Sequence, residues 1–450
     1  MARQLFGTDG IRGVAGEYPL DAATVYAVGA ALGGWCKAHS PAPQVVIGMD
    51  TRESGPWIAE QVAGGLARAG VASRLAGRIT TPGIACLTRN DTFVAGVMIS
   101  ASHNPYRDNG IKIFDHTGFK LPDRTELDLE SKILSFREAG KSRPEPLTVD
   151  PLLDERYLDF LASAFDASLT GLRLVVDCGH GAAYQLAPAL LRRLGATVDT
   201  LGCEPNGRNI NLDCGALHVD RLASRVVELQ ADAGFAFDGD ADRCIAVAAD
   251  GAIVDGDATL LVMARHLLRK GHLRGNGGVP VVVATVMSNL GLEKALQAEG
   301  VRLLRAPVGD KYVLEEMQRA GANLGGEQSG HVILLDHATT GDGLLTALHL
   351  LKVMVDSGRP LHELTQGFEV YPQTLVNVRV RERKPLDMLH DVQQAIRDVE
   401  GELAGNGRVL VRFSGTEPLV RVMVEGPNLP QVESYAGQIA GVIRKSLGVV

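Results

Sequence analysis

The sequence contains no stretch of about 18 consecutive apolar residues, which argues against a helical membrane span. Its first ten residues, Met-Ala-Arg-Gln-Leu-Phe-Gly-Thr-Asp-Gly, carry no apolar core of signal-peptide length. The six cysteines (36, 86, 178, 203, 214 and 244) form no Cys-x-x-Cys pair and no zinc-like spacing. They are expected to be reduced and mostly buried, in a cytoplasmic protein. An excess of positive charge is also missing, since 45 Lys and Arg against 53 Asp and Glu leave a formal net charge of −8. Nonspecific nucleic-acid binding depends on neutralising phosphates with Lys and Arg, so that class is disfavoured. Any anionic ligand must then be held by local basic clusters. The Gly-x-Ser-x-Gly elbow of serine hydrolases, the Walker-type phosphate loop and the kinase motifs are absent as well.

What is present is a 450-residue chain, 45% hydrophobic and 22% charged, too long for one core. A pattern of strand, polar loop, helix, glycine and strand occurs three times. It begins at Val45–Asp50, Leu172–Asp177 and Val279–Thr285, and its glycines are Gly70, Gly195 and Gly300. The intervals are too long for a solenoid and fit three similar mixed α/β domains in series. After Tyr371 the pattern changes to a helix over 385–403, strands over 408–413 and 419–425, and a closing amphipathic helix over 429–447. The expected domains are therefore 1–150, 151–252 and 253–367, all α/β, and a smaller α+β unit at 368–450.

Five polar loops interrupt these elements. Residues 96–114 place Ser100, Ser102, His103, Asn104 and Arg107 between two apolar strands, with Pro105 and Gly110 read as turn residues. Phe6–Gly13 surrounds Thr8, Asp9 and Arg12 with glycines, as an anion-binding loop or an ordinary turn would. Asp238, Asp240 and Asp242 alternate between two apolar strands and would repel one another without a cation; hard oxygen ligands suit Mg²⁺. An EF-hand does not fit, because Arg243 and Ala249 occupy the positions of its glycine and its glutamate. Gly326–His331 offers Glu327, Ser329 and His331 as hydroxyl-binding groups, and a plain turn is an equal reading. Arg412, Ser414, Gly415, Thr416 and Arg421 combine guanidiniums, hydroxyls and amides suited to a phosphate dianion. A serine, a cation site and phosphate-gripping arginines together suit phosphoryl transfer.

With these five motifs in this order, the whole chain resembles the α-D-phosphohexomutase superfamily. The matching stretches are 6–13, 99–105 with 109–112, 238–243, 326–331 and 414–418. Gln328 and the Ser-Gly-Thr-Glu-Pro form of the last motif resemble its glucosamine branch; Lys311, where that branch is expected to carry arginine, departs from it. The resemblance implies four domains around a central cleft and a phosphoserine at Ser102. It also implies Mg²⁺ on Asp238, Asp240 and Asp242 together with a phosphoryl oxygen on Ser102. The implied reaction interconverts glucosamine 6-phosphate and glucosamine 1-phosphate through a 1,6-bisphosphate, which also serves as primer, and supplies an amino-sugar precursor for the cell wall. His103 and Lys112 become candidates for proton transfer, the latter if burial beside Arg243 lowers its pKa. Arg12 and Arg243 would contact the transferring phosphoryl group. Glu327, Ser329 and His331 would hold the sugar, and Arg412, Ser414, Gly415, Thr416 and Arg421 the distal phosphate. Other readings are a mannose- or glucose-phosphate mutase, a metal-dependent sugar phosphatase, and a non-catalytic sugar-phosphate sensor. An activating kinase or self-phosphorylation at Ser102, and a homodimer, are compatible with the same residues.

Overall fold

The computed structural model describes residues 4–139, 142–414 and 418–448. The chain forms two compact units, one of Met1–Thr285 with Leu304–Gln366, the other of Val286–Leu303 with Gly367–Val450. The three sequence repeats take the expected form. They are Gln44–Met49, Gly55–Arg68 and Ala72–Arg78; Arg173–Asp177, Leu186–Arg193 and Thr197–Leu201; and Val281–Thr285, Leu290–Ala298 and Arg302–Ala306. Gly70, Gly195 and Gly300 have φ of +71°, +104° and +74°, the left-handed conformation that ends a helix at little cost only for glycine.

In the first unit, a six-stranded mixed sheet runs in the order Phe6–Gly7, Gly10–Val14, Asp108–Asp115, Ala95–Ile99, Gln44–Met49, Ala72–Arg78. Its central strand Ala95–Ile99 is buried throughout, which is why it reads as an unbroken apolar run. The register of Asp108–Asp115 prepares the site, because Lys112 lies opposite Met98 on one side and Gly110 opposite Arg12 on the other. Gly110 is therefore a strand residue and not a turn. A β-carbon there would come within 2.5 Å of the Ser100 carbonyl oxygen, so the glycine permits close packing instead of a bend.

Two hairpins place the next two polar loops at their tips. Phe237 pairs with Cys244 in the five-stranded sheet, leaving residues 238–243 as the connection. Gly326 pairs with Val332 in the four-stranded sheet, leaving 327–331. Among the described residues no helix is long and apolar enough to cross a membrane. All six cysteines are free, four of them buried and Cys86 and Cys203 half-buried.

The second unit is a three-stranded antiparallel sheet, Gln373–Arg379, Leu419–Glu425 and Arg408–Phe413, packed against helices His390–Leu403 and Leu429–Leu447. The helix expected from residue 385 starts at His390, after a short turn of 3₁₀ helix at Leu386–Met388. The segment 286–303, assigned by sequence to the third α/β domain, clusters with this unit. Its helix start is satisfied there: Glu425 accepts the Leu290 amide at 2.9 Å, and Arg408 donates to the carbonyls of Val286 and Ser288.

Candidate active site

The Ser102 loop is held from below by buried polar groups. Arg52, paired with Asp50 at 2.9 Å, donates to the carbonyls of Ser102 and Asn104 at 2.9 Å each and also to that of Pro105. Asn211, reaching in from the second sheet's loops, donates to the same Ser102 carbonyl at 2.9 Å. Ser100 is fixed in this base: its hydroxyl donates to Asp50 at 2.6 Å and accepts the Ser102 amide at 2.9 Å. That leaves Ser102 as the presented serine. It has φ +53°, unusual for a residue with a β-carbon, and such strain persists where surrounding contacts over-determine it.

Opposite it, Asp238, Asp240 and Asp242 bring one oxygen each to within 4.8 Å of one another, all three buried. The Ser102 hydroxyl donates to Asp238 at 2.5 Å. Burial, then the charges of Asp242 and Asp240, push the Asp238 carboxyl up to about 8. One oxygen of Asp240 and one of Asp242 are buried without a hydrogen bond. Three hard carboxylates converging with orphaned oxygens fit a divalent cation, which would supply the missing positive charge.

Lys112 lies fully buried, 2.9 Å from Asp240, 3.0 Å from Asp9 and 3.4 Å from Asp242. Burial alone would lower its pKa, but these carboxylates outweigh burial and hold it well above the usual lysine value. The expectation of a Lys112 pKa lowered by burial beside Arg243 is thus corrected, since the nearest charges are carboxylates. His103 behaves oppositely. Its Nδ1 is 3.4 Å from the Ser102 hydroxyl, and burial, Arg243 and Arg12 lower its pKa to about 4, leaving a neutral imidazole at pH 7.

These groups open on a cavity of about 360 Å³ lined by Arg12, Ser102, His103, Asp242, Arg243 and Glu327, among others. Arg12 pairs with Asp9 and sits 3.5 Å from the Asn104 side chain, while its Nε is buried without a partner. The Arg243 amide donates to Asp238 at 3.2 Å, and its guanidinium Nε is likewise buried without a hydrogen bond. Glu327 accepts the Gly309 amide at 3.2 Å and the Ser329 hydroxyl at 3.4 Å. His331 borders the cavity, but its ring nitrogens face protein. Nδ1 is 3.6 Å from Asp242, and Nε2 accepts the Gly341 amide at 3.1 Å. Burial resists its protonation, yet Asp242 prevails and raises its pKa.

In the second unit, Arg412 and Arg421 are directly opposite on adjacent strands. Burial and the neighbouring Arg421 charge pull the Arg412 pKa down. Ser414 is buried, donating its amide to Leu419 and accepting Arg383 on its carbonyl, each at 2.8 Å. Gly415 and Thr416 lie outside the described residues.

Four family models cover the chain in series: phosphoglucomutase/phosphomannomutase α/β/α domain I over residues 3–139, domain II over 155–251, domain III over 255–371 and the C-terminal domain over 375–442. The phosphoglucosamine mutase of Solibacter usitatus is 60% identical over 449 residues, covering both chains completely. That of Anaeromyxobacter sp. is 49% identical over 458 residues, covering 100% of this chain and 97% of its own. The chain belongs to the phosphoglucosamine mutase family. Solved structures show the same fold. A phosphoglucomutase/phosphomannomutase family protein of Burkholderia thailandensis has a TM-score of 0.79 at 23% identity, covering 98% of this chain and 99% of its own. The Aspergillus fumigatus N-acetylphosphoglucosamine mutase, solved with GlcNAc-6P and magnesium, has a TM-score of 0.64 at 18% identity, covering 99% and 96%.

For this phosphoglucosamine mutase family member, sequence reasoning missed several supporting groups. Asp50, Arg52 and Asn211 build the base under Ser102, and only the polar turn after the strand at 44–49 hinted at the first two. Lys120 pairs with both Asp9 and Asp310, joining the Phe6–Gly13 loop to the start of helix Asp310–Ala320. Lys311 does not face the 360 Å³ cavity. It pairs with Asp123 and lies 3.9 Å from Glu315, beside a second cavity of about 470 Å³.

Proposed function

We propose that this chain interconverts glucosamine 6-phosphate and glucosamine 1-phosphate, with Ser102 carrying the transferred phosphoryl group. The observation that carries the reading is the Ser102 hydroxyl, 2.5 Å from Asp238 within a buried three-aspartate cluster. The full-length similarity to phosphoglucosamine mutases supports the substrate. In the forward half-reaction the bond from phosphorus to the Ser102 oxygen breaks as the sugar 1-hydroxyl oxygen bonds to phosphorus, giving a 1,6-bisphosphate. The sugar then turns end for end, and the 6-phosphoryl group passes to Ser102. Serine is loaded initially from a hexose bisphosphate primer or by a kinase.

Asp238, Asp240 and Asp242 would hold Mg²⁺, which when bound neutralises charge on the transferring group and competes with Lys112 for Asp240 and Asp242. Arg12 and Arg243 present guanidiniums to the phosphoryl oxygens from the cavity wall. His103, neutral at pH 7, is the group ready to accept the proton of the incoming hydroxyl; Lys112 contributes a fixed positive charge beside the carboxylates. Glu327 with Ser329 binds two adjacent sugar hydroxyls. His331 acts on Asp242 and orients it. Arg412, Ser414, Gly415, Thr416 and Arg421 bind the distal phosphate. In this reading residues 1–150 contribute the phosphoserine, 151–252 the cation ligands, 253–367 the sugar loop and 368–450 the distal phosphate site.

The test is a parallel assay of glucosamine, glucose and mannose 6-phosphates with Mg²⁺ and a bisphosphate primer. Preferential turnover of the glucosamine ester is expected, and faster turnover of either other ester would overturn the substrate assignment. Stoichiometric release of free phosphate would instead establish a phosphatase.

A further inference from the structure

The cation loop is clamped by two helix starts that come from different parts of the chain. At helix Thr81–Asn90, the Thr81 amide donates to the Asp240 carbonyl at 3.0 Å and its hydroxyl donates to the Asp240 carboxylate. At helix Gly343–Ser357, the Gly343 amide donates to the Ala241 carbonyl at 3.0 Å. A β-carbon at Gly343 would approach the Arg243 carbonyl oxygen to 2.6 Å, so this second grip is as close as backbone allows. Ala241, held between them, has φ +53° and no exposure. The spacing of the flanking Asp240 and Asp242 therefore depends on two contacts that squeeze a strained residue.

Each helix start has its own cap. Thr80 caps the first, accepting the Gly83 amide at 3.0 Å. Asp342 caps the second, accepting the Leu345 amide at 3.0 Å on one oxygen and the Tyr157 hydroxyl at 2.8 Å on the other. Tyr157 has no exposure and is among the largest fully buried side chains. A phenol costs more to bury than a phenyl ring unless its hydroxyl is bonded, and here that hydroxyl is bonded to the second cap.

We propose that Tyr157 is a positioning residue for the carboxylate loop, its hydroxyl fixing the Asp342 cap of the helix start that grips Ala241. The inference rests on reading the three aspartates as a divalent-cation site. Without the hydroxyl, Asp342 loses a buried partner, and the start of helix Gly343–Ser357 is free to shift against the loop. The loop then holds its carboxylates less tightly in register, and cation affinity falls.

The test uses the full-length chain, stripped with a chelator and titrated with Mn²⁺ by electron paramagnetic resonance. Tyr157→Phe keeps the ring, and Asp342→Asn keeps the cap while replacing one accepting oxygen with an NH₂ group. Both variants are expected to bind Mn²⁺ about 3- to 10-fold more weakly, at or below the lower end of what removal of a ligand-orienting partner does. The half-saturating Mg²⁺ concentration for turnover should rise by the same factor, with KM for the sugar phosphate unchanged. If both variants only melt earlier while Mn²⁺ affinity and Mg²⁺ half-saturation stay at wild-type values, the residue is merely structural and the proposal is overturned. If the wild-type chain binds no Mn²⁺, the cation reading itself fails, a result distinct from equal binding by wild type and variants.

Discussion

Around Ser102 buried cations are set against carboxylates, whereas in the second unit two guanidiniums of like charge stand opposite each other. Lys112 sits among Asp9, Asp240 and Asp242, and Arg52 is locked on Asp50. Arg412 and Arg421 are instead cross-strand neighbours, and burial with that neighbour already depresses the Arg412 pKa. A region that breaks and makes bonds needs groups that do not reorganise during the step, so its cations are held by carboxylates and its backbone is strained into place at Ser102 and Ala241. A region that only grips a dianion does better with like-charged guanidiniums side by side. Alteration of the first region should therefore reach kcat, and of the second mainly KM.

The sharpest test of that division is Ser102→Ala. Turnover should fall by at least about 10³-fold if the covalent route runs through Ser102, and intact mass should lack the single added phosphate expected of the wild type. Retention of both would leave the comparison without its reactive end. His103→Gln follows, with an expected loss of about 10²-fold or more in kcat and little change in KM. The pH profile adds the sign. A pKa lowered to about 4 keeps His103 neutral above that value, so its protonation removes activity only as pH falls through about 4. An acid limb near 6.5 that vanished in the variant would show an ordinary imidazole instead.

Arg412→Ala probes the other region. Loss of a charge-assisted contact of about 1.5–3 kcal/mol should raise KM for the phosphosugar roughly 10- to 100-fold and lower kcat less. If kcat falls as much as kcat/KM, the arginine works in the transition state, and the separation of gripping from reacting is wrong.

The reacting region was legible in sequence wherever its residues lie close together along the chain. Three aspartates alternating within five positions announce a carboxylate cluster, and the three repeats announce their α/β units, because both signals are local. What escaped depends on distant pairing. The Lys112 charge is set by Asp9 from the first loop and by aspartates more than a hundred residues away. Gly110 was read as a turn because a glycine in a polar stretch usually is one, while its actual constraint is the Ser100 carbonyl across the sheet. The contact between Tyr157 and the Asp342 cap leaves no sequence pattern, since each looks like an ordinary core or cap residue. The segment 286–303 joins the second unit through Glu425 and Arg408, contacts that no local period encodes.

Lys311 gives the smallest expected effect and the finest control. The resemblance expects arginine there, and a bidentate fork matters if the position touches phosphate. The structure pairs Lys311 with Asp123, whose side chain is 56% exposed, and sets it 3.9 Å from Glu315 beside a cavity distinct from the one Ser102 opens on. A solvent-exposed pair contributes about 0–1 kcal/mol, so Lys311→Ala should change kcat and KM by less than about fivefold. Lys311→Arg should do no better than wild type, because an exposed carboxylate at the start of helix Asp123–Ala139 gains little from the fork. A tenfold rise in KM for Lys311→Ala, restored by arginine, would instead place a third cation in contact with phosphate. The phosphate grip assigned to Arg412 and Arg421 would then extend to Lys311.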